Sequence, residues 1–117
     1  MSTDRANRSL LLGLLGPPEV IWAGATLSIA RRQTRALLYR LAVQLAPVPR
    51  TQLGYLLWPD VPDTTARRNL THLLTLLRRA LPRPDLLLTD GETAAFHPQH
   101  VASDADTFAR LTSTADA

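Results

Sequence analysis

Polar and basic side chains recur at helical spacing between residues 64 and 79. At 100° per residue, one side of a helix over this segment carries Thr65, Arg68, His72, Thr75 and Arg79. No carboxylate follows Asp63 in this segment, so the helix forgoes the acid–base pairs that usually support exposed helices. Arginine can bind guanine edges or phosphates, and threonine can contact bases through its hydroxyl or methyl group. These residue types at this spacing predict a surface that contacts duplex nucleic acid.

Two sets of residues are candidates for such a contact. The set that would read base edges lies along the middle of the helix and consists of Arg68, Thr71, His72 and Thr75. The set that would hold the nucleic-acid backbone consists of Arg31, Arg32, Arg50, Thr64, Arg67, Asn69, Arg79 and Thr93. For each residue the alternative is an ordinary solvated surface position. Arg35 and Arg78 could instead pair with Asp60, Asp63 or the acids of the tail.

The basic residues are concentrated in the middle of the chain. Residues 31–83 contain ten arginines against two aspartates, a net charge of +8, whereas residues 1–30 are neutral overall. Residues 84–117 carry one arginine against six acids, a net charge of −5. A basic segment between neutral and acidic ones is typical of a surface that binds a polyanion. A set of solvated helix faces is the alternative.

The composition argues against several other classes of function. The absence of cysteine excludes disulfides, thiolate nucleophiles and cysteine zinc sites, and it fits the reducing cytoplasm, where we expect the protein. With no glycine-rich phosphate loop and no Ser-His-Asp grouping, we expect neither an enzyme nor a cofactor. Because Pro98 lies between His97 and His100, we do not expect these two histidines to form a metal site. The apolar run at residues 10–15 is far shorter than the roughly 20 residues of a membrane helix, so we expect no membrane association.

The amino-terminal third predicts a small antiparallel sheet followed by a helix. Residues 10–15 form a short apolar run that favours a strand. Residues 20–22 and 26–29 flank Gly24, which can supply the positive φ that a hairpin turn needs. Leucines at helical spacing then predict a helix from about residue 31 to residue 45.

The middle of the chain predicts two further helices. A short one runs from 51 to 57, with Thr51 as its cap or in its first turn. A turn stiffened by two prolines follows, and Asp63 is predicted to cap a long helix that runs to residue 81. A short helix, a turn and a longer helix make a helix-turn-helix.

The apolar residues of the long helix predict its buried side. They fall in one stripe, which comprises Ala66, Leu70, Leu73, Leu74, Leu77 and Leu81. Leu76 lies off this stripe, and it either packs under the following hairpin or marks a protein contact. Trp22 and Trp58 are expected to pack in the core or against turns.

A second hairpin is predicted after the long helix. Residues 86–89 and 92–97 flank Asp90-Gly91, a dipeptide favoured in two-residue turns because both positions tolerate positive φ. The predicted fold is therefore α+β: an amino-terminal antiparallel sheet, three helices and a carboxy-terminal β-hairpin wing, which is a winged helix-turn-helix. We expect residues 1–9 to be disordered and residues 10–100 to form this domain. We expect residues 101–117 to begin a following helical domain or a linker.

Several short motifs, in this order, resemble those of a known family. They are Leu14-Leu15-Gly16, the segment 31–38, Leu56-Leu57-Trp58-Pro59-Asp60, Ala66-Arg67-Arg68-Asn69-Leu70, the segment 77–81 and Thr89-Asp90-Gly91. Over residues 10–108 the chain resembles the amino-terminal domain of the antibiotic-regulatory-protein (SARP) type of transcriptional activator, which has an OmpR/PhoB-type winged helix. The chain departs from the family at Thr71, where arginine is frequent, and at Leu76, where a polar or basic residue is usual. Its loop at 46–50 is also short and lacks glycine.

The resemblance implies a bacterial transcription regulator, and more specifically an activator. The long helix would enter the major groove of double-stranded DNA, and the wing would approach the minor groove. The family implies binding to direct repeats as a tandem pair, from a monomer in solution, and recruitment of RNA polymerase. A winged-helix module that binds proteins and not DNA is the alternative, motivated by Thr71, Leu76 and the acidic tail.

Overall fold

Seven short strands and four helices make up the described part of the chain. A computed structural model describes residues 10–116, with side chains as far as residue 112. The strands are β1 (Leu10–Gly13), β2 (Glu19–Trp22), β3 (Ala25–Leu27), β4 (Val48–Pro49), β5 (Leu87–Thr89), β6 (Thr93–Phe96) and β7 (Val101–Ser103). The helices are α1 (Arg32–Val43), α2 (Arg50–Leu57), α3 (Asp63–Ala80) and α4 (Asp104–Asp116), with a 3₁₀ turn at Pro84–Leu86. The predicted α+β class is confirmed, and the disorder expected for residues 1–9 lies outside the described residues.

The amino-terminal strands form an antiparallel sheet. β1 pairs with β2 so that Leu10 lies opposite Trp22 and Leu12 lies opposite Val20. Leu10, Leu12 and Val20 are buried, which places one side of the sheet in the core. The turn between β2 and β3 has Gly24 at a φ of +81°, as predicted, and Ala23 at +53°.

β7 is the fourth strand of this sheet, and the sequence did not predict it. It pairs in parallel with β1, with Leu10 opposite Val101, and completes the strand order β3-β2-β1-β7. A strand of three residues shows no usable periodicity, and its partner lies about ninety residues earlier in the chain. The first three residues of the segment 101–117 therefore belong to the amino-terminal sheet.

The core lies where the three central helices meet the sheets. The predicted stripe of α3 is buried throughout, and its leucines pack in one cluster with Leu37, Leu38 and Leu41 of α1. Gly54 of α2 packs against Ala66 of α3, where a Cβ on Gly54 would lie 3.4 Å from the Cβ of Ala66, an ordinary contact distance. Trp22, Trp58 and Leu76 are among the half-buried residues that pack against the cluster.

The predicted cap of α3 is wrong, whereas Thr51 has the first-turn position that is one of its two predicted places. Pro49 precedes α2 and Pro62 precedes α3 as the capping residue, each with a φ of −59°, and neither helix has a side-chain capping hydrogen bond. Thr51 therefore lies within the first turn of α2, and Asp63 is the first residue of α3. A proline fixes the backbone at the helix entry without a hydroxyl or carboxylate cap. Asp63 still places a negative charge at the positive end of α3.

The second hairpin is present, but its turn differs from the prediction. β5 and β6 pair antiparallel with Thr89 opposite Ala94, and β4 extends this sheet in the order β4-β6-β5. The Asp90 N–H donates to Thr93 O at 3.0 Å, so the central turn residues are Gly91 and Glu92. Among the described residues only Ala23 and Gly24 have a positive φ, which contradicts the predicted Asp90-Gly91 turn. Asp90 instead precedes the two turn residues, and its carboxylate accepts the backbone N–H groups of Glu92 and Thr93.

No helix among residues 10–116 combines the length and the apolar character that crossing a bilayer requires.

Candidate nucleic-acid interface

α3 presents one polar side to solvent. Six exposed polar or basic residues of its middle and end, here named the α3 ridge, are Arg67, Arg68, Thr71, His72, Thr75 and Arg79. They lie opposite the buried leucine stripe, so the same 18-residue helix fixes both sides. Thr64 is also exposed at the start of α3, whereas Thr65 is half-buried. The structure therefore brings all four base-contact candidates onto one open surface.

The α3 ridge keeps its positive charge uncompensated. Within the described residues, no hydrogen bond or ion pair engages the guanidinium groups of Arg67, Arg68 or Arg79. Nor do Asp104 and Asp106, the acids of α4 whose side chains are described, pair with them. Asp104 accepts hydrogen bonds from the backbone N–H of Leu14, at 2.8 Å, and of Leu15, at 3.2 Å. These contacts place that carboxylate on the amino-terminal sheet, and the Leu14 N–H holds its pKa below the ordinary value.

Two threonines of the ridge have their hydroxyl protons engaged within the helix. Thr71 Oγ1 donates to Arg67 O, and Thr75 Oγ1 donates to Thr71 O, each at 3.1 Å. These bonds to the carbonyl four residues earlier fix the side-chain rotamers. The methyl groups and the remaining lone pairs are then the parts of Thr71 and Thr75 that can meet a ligand, and a thymine methyl is a suitable partner.

Arg50 joins three elements next to the ridge. From the start of α2, its Nη2 donates to Thr71 Oγ1 at 2.9 Å and its Nη1 donates to Asp90 O at 2.7 Å. The Arg50 backbone N–H also donates to Glu92 O at 2.8 Å. The sequence predicts Arg50 and Thr71 as separate contacts to a ligand, and the structure bonds them to each other. Arg50 thereby sets the position of the β5–β6 turn relative to α3.

The turn itself is held by its own aspartate. Asp90 Oδ1 accepts the backbone N–H groups of Glu92 and Thr93, both at 2.7 Å. These two bonds, with the Glu92 N–H the larger cause, lower the pKa of Asp90. Thr93, a candidate backbone contact, is half-buried, and its hydroxyl lies 3.3 Å from the same carboxylate oxygen.

The alternative acid partners suggested for Arg35 and Arg78 are not the ones observed. Arg35 Nη1 donates to the carbonyl oxygens of Ile29 and Ala30, at 2.9 and 2.8 Å. Arg78 Nη2 donates to Leu87 O and to Thr89 Oγ1, at 3.1 and 2.9 Å. Backbone carbonyls and a threonine hydroxyl satisfy these guanidinium groups in place of carboxylates. Arg78 thus forms a second tie between α3 and the hairpin.

The remaining candidates lie at both sides of the ridge. Arg31, Arg32, Asn69 and His72 line a pocket of about 580 Å³ between the start of α1 and α3. Leu76 lines the same pocket, so it packs on the α1 side of α3. A larger cleft of about 950 Å³ lies between α2, the start of α3 and the β5–β6 turn, and Arg50, Arg67, Thr71 and Thr93 are among its lining residues. The structure therefore gathers the candidates from α1, α2 and the hairpin around α3.

The histidines outside α3 form a pair. The rings of His97 and His100 lie 4.3 Å apart between centroids. Among the described residues, no group of three or more histidine, cysteine or carboxylate side chains is placed to hold a metal ion.

No protein-family model matches the chain, and no curated protein matches it.

Proposed function

We propose that the chain binds double-stranded DNA with sequence preference as a winged helix-turn-helix. α3 lies in the major groove, and the β5–β6 hairpin, as the wing, approaches the minor groove. The resemblance to SARP-type activators supports the further proposal of a bacterial transcription regulator that binds direct repeats and recruits RNA polymerase.

The uncompensated α3 ridge is the observation that carries this proposal. Three arginines, a histidine and two threonines share one exposed side of an 18-residue helix, and no carboxylate follows Asp63 on that helix. Isolated surface helices gain by pairing such charges with acids four residues away. A helix that leaves them all free is suited to meet phosphates, which make up a continuous line of negative charge.

The spacing along α3 fits a short run of base pairs. Arg68 and Thr75 are seven residues apart, about 10 Å along a helix, which matches about three base-pair steps of 3.4 Å. Arg68 and His72 are the candidates for hydrogen bonds to base edges, and the Thr71 and Thr75 methyl groups are candidates for apolar contact. Arg67 and Arg79 lie toward the two ends of the ridge, where the phosphate strands that border the groove would pass.

Binding to duplexes selected from a random pool tests the proposal. Fluorescence anisotropy should show affinity that falls with salt, with a log–log slope of about −0.9 for each phosphate neutralised. Arg68→Ala should weaken binding to the selected duplex by roughly 1–3 kcal/mol and reduce its preference over random DNA. Arg31→Ala should weaken selected and random duplexes alike, since a phosphate contact does not distinguish sequence.

Arg110→Ala is the control, because it removes one arginine from α4, where Arg110 pairs with Asp106 at 3.0 Å and lies outside the α3 ridge. It should bind as the parent does. If Arg68→Ala and Arg31→Ala also bind as the parent does, the site assignment is wrong. If no duplex shows salt-dependent binding, DNA binding itself is wrong.

A protein-interaction module is the second candidate. Tyr55 and Leu56 are adjacent in α2 and are 74% and 54% exposed, so they offer apolar and aromatic surface to a protein partner. A parent chain that binds no duplex would favour this candidate.

A further inference from the structure

The start of α1 has the features of an anion site. α1 has twelve residues, its capping residue Arg31 makes no side-chain capping bond, and its first turn contains no acid. Its backbone N–H groups at residues 32–34 precede the first intrahelical bond, which runs from Arg35 N to Arg31 O at 2.9 Å. Such N–H groups lack intrahelical partners, and the helix dipole makes this end positive.

An unpartnered buried hydroxyl lies at the same place. Thr34 is only 2% exposed, and within the described residues its Oγ1 has no hydrogen-bond partner. Threonine in a helix often donates to the carbonyl four residues earlier. Here that carbonyl, Ala30 O, accepts from Arg35 Nη1. A buried hydroxyl without a partner is costly, so this one calls for an acceptor that arrives from outside the fold.

The residues that carry both features line one pocket. Arg31, Arg32 and Thr34 of α1 line it together with Asn69 and His72 of α3, and its volume is about 580 Å³. None of the described lining residues is acidic. Trp58, Leu73 and Leu76 supply apolar surface beside these donors.

We propose that this pocket binds a phosphate group. Its donors would be the free N–H groups of α1, the guanidinium groups of Arg31 and Arg32, and Thr34 Oγ1, which gains the acceptor that it lacks. The identity of this phosphate rests on the proposed function: it is a backbone phosphodiester of the DNA strand that passes on the α1 side of the α3 ridge. The apolar surface of Trp58 and Leu76 fits the adjoining deoxyribose.

Thr34→Val tests the site, because it removes the hydroxyl and keeps the side-chain shape. In the parent, inorganic phosphate should shift the backbone amide resonances of residues 32–34 more than chloride does at equal ionic strength. Thr34→Val should weaken phosphate and duplex binding about tenfold, with the same loss for every DNA sequence. Its urea midpoint should be unchanged or higher, since it removes a buried group that has no partner. If the hydroxyl instead had a structural role, its removal would lower the urea midpoint.

Two further variants make the result specific. Thr34→Ser keeps the hydroxyl and should retain phosphate binding. Thr112→Val removes an exposed hydroxyl from α4, where it donates to Phe108 O, and should bind phosphate and DNA as the parent does.

The outcomes separate this site from the proposed function. If Thr34→Val loses the phosphate response but binds DNA as the parent does, the site stands and its ligand is free phosphate. If the parent binds no DNA while phosphate still shifts residues 32–34, the site stands and the proposed function fails. If DNA binds, phosphate leaves residues 32–34 unaffected and Thr34→Val binds DNA as the parent does, the site is wrong and the function stands.

Discussion

The guanidinium group of Arg50 shows how the meaning of a residue depends on its neighbours. As a lone basic residue at the start of a helix it is an ordinary candidate for a phosphate contact. In the structure, two of its nitrogens already bond Thr71 and Asp90. Its main effect is therefore on the position of other groups, because it ties α3 to the β5–β6 turn.

Replacing Arg50 should loosen that tie. Arg50→Ala should lower the free energy of unfolding by about 1 kcal/mol, the net value of one or two partly exposed hydrogen bonds. It should also speed hydrogen exchange of the Glu92 and Thr93 amides. Arg50→Lys should recover only part of the loss, since an ammonium group lacks the planar fork that reaches two acceptors.

Arg32→Ala is the control for this prediction. Arg32 is exposed, and its positive charge is repelled by the positive end of the α1 dipole. Its removal should therefore leave the free energy of unfolding unchanged or slightly raise it. The tie would be refuted by an Arg50→Ala protein that matches the parent in both urea midpoint and hydrogen exchange.

At the residue scale, the sequence predicts which side chains are exposed better than it predicts their partners. Helical spacing places Arg68, His72 and Thr75 on the open side of α3, and the structure agrees. The bond from Arg50 to Thr71 joins residues 21 positions apart and depends on how α2 packs on α3. The unpartnered hydroxyl of Thr34 likewise has no trace in the sequence pattern, because burial and competing donors are tertiary properties.

At the level of elements, the β5–β6 turn should make the free energy of unfolding depend on pH in the acidic range. The pKa of Asp90 is lowered by the N–H groups of Glu92 and Thr93, so the folded state holds this carboxylate ionised. A carboxylate whose pKa is lower in the folded state than in the unfolded state stabilises the fold at pH values above its unfolded pKa. This stabilisation is lost as the pH falls through the folded pKa. The free energy of unfolding should therefore decline below the ordinary aspartate pKa of 3.8.

Asp90→Asn should flatten this dependence, because its amide oxygen can accept the same N–H groups without ionising. Urea unfolding at several pH values from neutral to strongly acidic would measure it. Asp85 and Asp104 have pKa values lowered in the same direction, so part of the decline should remain in the variant. Asp60→Asn removes an exposed carboxylate and serves as the control. An Asp90→Asn protein whose acid dependence matches that of the parent would contradict the assigned role of the turn.

The predictability of each element follows its length and periodicity. The apolar stripe of α3 recurs over five turns, so the sequence identifies both the helix and its buried side. β4, with two residues, and β7, with three, are too short to show alternation, and pairing across the fold creates them. The turn after β5 is displaced by one residue because Asp90 accepts backbone N–H groups, an option that competes with the positive-φ turn that Asp-Gly usually favours.

Over the whole molecule, a polar contact ties the end of the described chain to the helical core. Ser103 Oγ donates to Ala42 O at 2.6 Å and accepts from the Asp106 N–H at 3.2 Å, and both side chains are buried. Asp106 in turn accepts the Leu45 N–H at 2.8 Å. β7 and α4 thus satisfy backbone groups at the end of α1 that would otherwise be left without partners.

Ser103→Ala should therefore destabilise the entire domain and not only its last segment. It leaves Ala42 O and the Asp106 N–H without this partner in a buried setting, which should cost about 1–3 kcal/mol in the free energy of unfolding. Urea unfolding followed by far-ultraviolet circular dichroism and by tryptophan fluorescence should show one shared transition at a lower midpoint. Ser28→Ala, at an exposed position after β3, should shift the midpoint by less than about 0.5 kcal/mol. If the two probes separate, with the tryptophan signal unchanged, β7 and α4 unfold on their own and the contact does not support the core.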